Sequence, residues 1–193
     1  MFFSRIVSFF FVFLTFGLVT FANPIAAPGN EVVKRQQADS IEAVLANLKA
    51  STDSILPQID ALVDNGSATD ANVAPLIVQL TDAFTTADND LVAFSAKGGD
   101  GKPHNKDELA KVIAGILIVL VKTINKLFFI GIIKLPIVSG LLITLQIIVN
   151  KLLFSVELLL AGVLKLLAIL LVDVAILLKS ISWGLILAAL GYH

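Results

Sequence analysis

The chain contains no cysteine. That excludes a disulfide framework, a thiolate nucleophile and a cysteine-ligated zinc site, and it leaves packing or assembly to hold an exported protein together. Histidine is nearly as scarce, with His104 in a Gly-rich stretch and His193 at the terminus. No nucleophile elbow, pair of catalytic carboxylates or metal motif occurs, so no catalytic residue, metal ligand or cofactor is expected and the protein reads as a non-enzyme. Arginine is confined to Arg5 and Arg35. Nucleic acid is thereby excluded as a partner, since its footprint is a dense Lys/Arg patch.

Also missing, from Lys111 to Tyr192, is any long uncharged run. The stretch is almost wholly Leu, Ile, Val, Ala and Gly, yet Lys111, Lys122, Lys126, Lys134, Lys151, Glu157, Lys165, Asp173 and Lys179 interrupt it. The widest gap, from Leu135 to Asn150, is 16 residues, whereas a spanning helix needs roughly 20. For Val156 to Leu178, Leu/Ile/Val side chains at about -0.5 kcal/mol each are nearly cancelled by three charges at up to about +3 kcal/mol. Insertion into a bilayer is allowed and not compelled. If the segment is one helix, Glu157, Lys165, Asp173 and Lys179 fall within less than half of its circumference at about 100° per residue.

What is present divides sharply. Gln36 to Glu108 carries twelve acids against four bases, and Leu109 to His193 two acids against seven bases. An acidic front is joined to an apolar, cationic rear.

Residues 1–22 have the layout of a secretory signal: Arg5, an apolar stretch from Ile6 to Phe21, and small residues near Thr20 and Ala22. Residues 23–35 form a Pro/Ala-containing pro-segment that closes on the dibasic pair Lys34-Arg35. Residues 36–96 form the acidic amphipathic half. Ile41, Val44, Leu45, Leu48, Ile55, Ile59, Leu62 and Val63 step by three and four along one helix, with Asp39 and Glu42 at its start and a kink or short break at Pro57. Asn65-Gly66-Ser67 makes a turn and is the chain's one glycosylation sequon. From Asn72 to Phe94, Val73, Leu76, Ile77, Leu80, Phe84, Ala87, Leu91 and Phe94 form a seam suited to antiparallel packing on the first helix. The acids Asp60, Asp64, Asp70, Asp82, Asp88 and Asp90 read as a solvated face, lacking the interleaved Gly and terminal Glu of a calcium loop.

Residues 97–106 are a Gly-rich hinge with Gly98, Gly99 and Gly101. It superficially resembles a phosphate loop, but no apolar strand precedes it and Pro103 stands where Ser or Thr would hold magnesium. Residues 107–193 are the hydrophobic half. Asn105 and Glu108 start a helix running past Lys126 toward Lys134, a second spans about Ile137 to Phe154, a third about Ser155 to Lys179, and a short piece Ser182 to Leu190. Trp183 and Tyr192 stand where aromatics anchor a polar/apolar boundary, with ordinary packing residues as the other reading. The expected fold is all-α: an amphipathic antiparallel helical pair followed by a strongly hydrophobic bundle of three to four helices. Three such helices, each about 30 Å by 10 Å, expose over ~1,000 Å² even after burying half their flanks on each other, and monomers seldom expose apolar patches beyond a few hundred Å². The rear is therefore covered by the front, by another phase or by another copy, and opening at Gly98 to Gly101 would convert the first state into the others.

The front pattern VLANLKASTDSILPQIDALVDNGSAT and the rear pattern ELLLAGVLKLLAILLVDVAILLKSISWGL resemble the small cysteine-free secreted cell-wall proteins of mushroom-forming fungi, which have a hydrophilic first half and a hydrophobic second half. The front is also similar to fungal hydrophobic-surface-binding proteins. The resemblance implies a role in the hyphal wall and matrix, in aerial hypha formation and in attachment to hydrophobic surfaces, alongside hydrophobins, which themselves need eight cysteines. Hydrophobic surfaces or cell-wall matrix are the implied partners, with self-association and a membrane as further candidates. The alternative is an integral membrane protein of the secretory pathway with an acidic lumenal helical domain. If the two leading segments are removed as read, mass spectrometry of secreted protein will find Gln36 at the N-terminus. An N-terminus upstream of Arg35 sinks the processing scheme.

Overall fold

The computed structural model describes residues 40–98, 103–129 and 135–192. The signal segment, the Lys34-Arg35 site, Asp39, Gly99 and Gly101 lie outside them. Among the described residues all regular structure is helical: α1 Ile41–Asp64, α2 Asp70–Ala96, α3 Lys106–Phe129, α4 Pro136–Leu159, α5 Val163–Leu170, a 3-10 turn Val172–Val174, α6 Ala175–Ser180 and α7 Gly184–Ala189. The fold is all-α. Gln36–His193 is one compact unit, with a continuous core drawn from every one of these α-helices.

Local chemistry sets each boundary. Ser40, in extended backbone, starts α1 by accepting at Oγ from Ala43 N (3.2 Å). The cap thus falls one residue later than the Asp39 expectation, and Glu42 is free for another partner. The apolar stripe of α1 is buried apart from the half-buried Leu62. No break occurs at Pro57. Pro57 and Asp53 are both exposed, so the carbonyl that loses its helical donor is left to water at little cost. The helix ends in a Schellman turn: Gly66 adopts φ 67, its N–H bonds Val63 O (3.0 Å) and Ser67 N bonds Leu62 O (3.0 Å). Asn72 Oδ1 accepts from Thr69 N (2.8 Å), which starts α2 at Asp70, two residues ahead of the expected Asn72. Pro75 consequently sits in the second turn of α2. Asn105 Oδ1 accepts from Glu108 N (3.4 Å) and opens α3 as expected.

The acids of α1 and α2 determine how the two halves meet. Glu42, at the start of α1, lies 2.7 Å from Nδ1 of His104, just before α3. At the far end of α1, Asp60 Oδ2 accepts from Thr123 Oγ1 (3.2 Å), and Lys126 Nζ lies 3.0 Å from Asp60 and 3.5 Å from Asp64. Start meets start and end meets end, so α1 and α3 run parallel. Asp70, at the start of α2, accepts from Ile137 N (3.4 Å) and Val138 N (3.0 Å), and Asp88 Oδ1 accepts from Ser155 Oγ (2.6 Å). α2 and α4 are parallel in the same way. Leu135, the N-cap of α4, has no side chain able to cap, so a carboxylate from α2 supplies what the segment lacks. The expectation of a solvated acidic face is corrected for Asp60, Asp70 and Asp88, whose half-buried carboxylates meet donors of the rear half, whereas Asp64 stays on the exposed face beside Lys126.

Val163 to Tyr192 fills the space between α3 and α4. α5 and α6 pack on α3, and α5 and α7 on α4. The single helix expected over 155–179 is broken here. Gly162 takes φ 94, and the Glu157 carboxylate accepts from Gly162 N (2.7 Å) and Leu164 N (2.8 Å), so α5 begins anew. The shared arc of Glu157, Lys165, Asp173 and Lys179 presupposed an unbroken helix and does not survive. Lys106 Nζ donates to Ala161 O (2.9 Å), Ser180 Oγ to Asn125 Oδ1 (2.9 Å), and Tyr192 OH to Ala168 O. Gln146, 8% exposed on α4, turns its amide oxygen toward Gly184 N (3.2 Å) and Leu185 N (3.1 Å) and so caps α7.

Replacing Gln146 with Leu keeps the volume but removes the acceptor of the Gly184 and Leu185 N–H groups, at about 0.5–1.5 kcal/mol. Chemical denaturation should show a loss in that range, and an unchanged midpoint contradicts the cap. A pH effect follows from Glu42. Burial pushes its carboxyl up, but hydrogen bonds from His104 and local groups outweigh this and hold it below the usual carboxylate range. A depressed folded value means that the pair's contribution is complete above the unfolded Glu range and is lost as pH falls through the lowered value. Glu42 is half exposed, so the contribution stays under about 1 kcal/mol. In His104→Ala, the Glu42 carboxyl carbon should titrate at higher pH by NMR than in wild type, and an equal titration refutes the coupling.

Candidate interaction surface

α4 carries apolar residues around its whole circumference, and its polar residues decide which side turns inward. Gln146 is spent on α7, Ser155 on Asp88, and the helix start on Asp70. Val138, Leu142, Leu145, Val149, Leu152 and Val156 go into the core with them. Ile143, Ile147, Phe154 and Leu158 are then forced to the opposite side, within an arc of about 60° at 100° per residue. Leu158 is 76% exposed and Ile143 61%. α2, α5 and α7 pack on the other faces of α4, and no described helix covers this stripe.

The adjoining C-terminal segment has the same character. One residue in every three or four goes inward, through Val163, Leu167, Leu171, Val174, Leu178 and Ile181, while Ile169, Val172 and Ile176 face out, Ile176 at 78%. Lys151 lies on the outer side of α4, and Lys165 and Lys179 are exposed on the C-terminal segment with Asp173 among them. The α1–α2 side is the reverse, with Glu42, Asp53, Asp64 and Asp82 exposed and only Val78 and Val92 as large exposed apolar residues. The charge asymmetry of the sequence becomes a polarity of the folded surface. At the ionic contact between the two, Asp60 beside Lys126 holds the ammonium above the ordinary lysine range.

Asn65 is exposed at the end of α1, in the loop position its sequon needs. Gly98, with φ 83, ends α2 by bonding Ser95 O (3.1 Å), which makes it a helix terminator on the near side of the hinge. Trp183 is 2% exposed and among the largest fully buried side chains. Tyr192 is half-buried against the core, its phenol raised above the usual range by burial and by the charge of Asp173. Both aromatics therefore have packing roles in this fold, correcting their expected place at a boundary. Ser182 explains the inward turn of Trp183: its φ of 60 and the bond from Trp183 N to Leu178 O (2.9 Å) reverse the chain after α6. The outer stripe of α4 escaped sequence reasoning because its period is masked by apolar residues on all sides. Among the described residues no group of His, Asp and Glu is arranged to hold a metal.

No protein-family model matches the chain. Fruiting body differentiation protein 16 of the mushroom Flammulina velutipes is 46% identical to it over 99 residues, which are 51% of this chain and 74% of that protein. The fungal part of the expected resemblance is met by this relative. At that identity, across 74% of the relative's length, the chain belongs to the family of fruiting body differentiation protein 16.

Proposed function

We propose that this protein is a secreted, non-enzymatic, surface-active component of the fungal cell wall and matrix, which adsorbs at hydrophobic interfaces during fruiting and aids aerial hyphae and attachment. The observation that carries the reading is the outer side of α4, where Ile143, Ile147, Phe154 and Leu158 stay in water while polar Gln146 and Ser155 are drawn inward. A core that spends its polar side chains inside and leaves branched apolar ones outside is arranged to meet a second, water-poor phase. Membership of the fruiting body differentiation protein 16 family supports a developmental setting in a mushroom.

The second reading, an integral membrane protein, draws on α3 and α4, which are long and apolar enough to cross a bilayer. Half of the apolar window of α3, however, is buried inside the fold. Spanning would also take the Asp70 and Asp88 contacts of α4 apart.

The test is adsorption to an oil–water interface, followed by surface tension. Wild type should lower the tension, and Ile143→Ser, Ile147→Ser and Leu158→Ser combined should need at least about tenfold more protein for the same effect. A protein that leaves the tension unchanged, or that stays in carbonate-washed membranes, ends the proposal.

A further inference from the structure

The apolar side chains of α4 and the C-terminal segment do not stand alone, and the cations among them narrow what can cover them. Lys151 lies between Ile147 and Phe154 in sequence and on the same outer side of α4, and Lys165 and Lys179 rise from the exposed side of the C-terminal segment, with Asp173 the acid beside them. Lysine stems lie along apolar surface and lift their ammonium groups to its edge. The surface therefore requires a partner that is apolar in its depth and negative at its rim.

Two protein partners fail that requirement. A second copy meeting this face by its own equivalent would set three lysines and one Asp173 against the same set, a contact of net like charge. A second copy presenting its acidic α1–α2 side would answer the charge but offers only Val78 and Val92 as large exposed apolar residues, which leaves Ile143, Phe154, Leu158 and Ile176 unmatched. An oil or air phase answers the apolar residues but not the charge. A bilayer carrying anionic headgroups answers both, because it places phosphates and carboxylates directly above acyl chains.

Resting on the interfacial reading above, we propose that the outer side of α4 with the adjoining Val163–Lys179 segment is a peripheral docking surface for anionic phospholipid bilayers. The apolar residues sink into the headgroup/acyl boundary and Lys151, Lys165 and Lys179 lie at the headgroups. The acidic α1–α2 side is repelled by the same lipid, which fixes the molecule with α4 toward the bilayer. The core stays folded, since every side chain used is already outside it.

The experiment is cosedimentation of the full protein with phosphatidylcholine vesicles, with and without phosphatidylserine, alongside the oil–water measurement. Binding should be tighter on the serine-containing vesicles and weaken with salt. K151Q/K165Q/K179Q should lose about fivefold per lysine, about a hundredfold together, on those vesicles alone. D173N should gain a few fold there, a change no folding defect produces. Unchanged Trp183 emission shows that the variants are folded. Equal binding to both vesicle types, an inert lysine triple, or self-association that competes with vesicle binding overturns the proposal while adsorption to oil keeps the interfacial reading intact. Failure at both vesicle and oil overturns the two together.

Discussion

Four aspartates of the first two helices hold the molecule in one register. Asp60 and Asp64 meet Lys126 at the ends of α1 and α3, Asp70 takes the free N–H groups at the start of α4, and Asp88 meets Ser155 farther along. Two parallel helix pairs locked at both ends cannot slide by a turn without losing several contacts at once. Apolar packing between leucine-rich helices is permissive about register. Carboxylates that must find particular donors are not. Asp70 is the most consequential, because the N-terminus of α4 has no cap of its own and its exposed amides and positive dipole end need an acceptor.

Once that register is set, the direction of every residue on α4 follows. The helix has more apolar positions than the core can take, so its few polar side chains act as selectors. Gln146 and Ser155 have partners only inward, and that choice commits Ile143 and Leu158 to water. In an ordinary amphipathic helix apolar residues choose the inside and polar ones follow. Here Gln146 and Ser155 turn inward together with the buried apolar face, and the exposed apolar stripe lies opposite them.

The amphipathic front was legible because its period is clean: the buried positions of α1 and α2 are nearly all those that steps of three and four select, and Asn65-Gly66 announced its turn. Boundaries slipped by one or two residues where a side chain other than the expected one did the capping, Ser40 for Asp39 and Thr69 with Asn72 for a later start. The rear half was legible as helical and no further. With Leu, Ile or Val at more than half of the positions from Ile137 to Leu190, periodicity carries little phase, and the outward side depends on contacts with Asp70, Asp88 and Gly184 that lie far away in the chain. The break at Gly162 is likewise set by Glu157 reaching forward to two amides. Trp183 misled for a related reason: its position near the end resembled a boundary residue, yet the left-handed Ser182 swings it inward.

The C-terminal segment is the least self-sufficient part of the fold. α5, α6 and α7 have 8, 6 and 6 residues, below the dozen or so at which an isolated helix is even marginal in water. They persist through one buried residue every three or four, through the borrowed caps of Glu157 and Gln146, and through the bonds from Lys106 to Ala161 and from Ser180 to Asn125. With no disulfide to fasten it, such a segment opens at lower cost than the long helices stapled by the aspartates. What it would uncover is the side of α3 and α4 that it packs on, which is more apolar still. The fold thus holds two reserves of apolar area, one presented at all times by α4 and one that opening of the C-terminal segment would uncover.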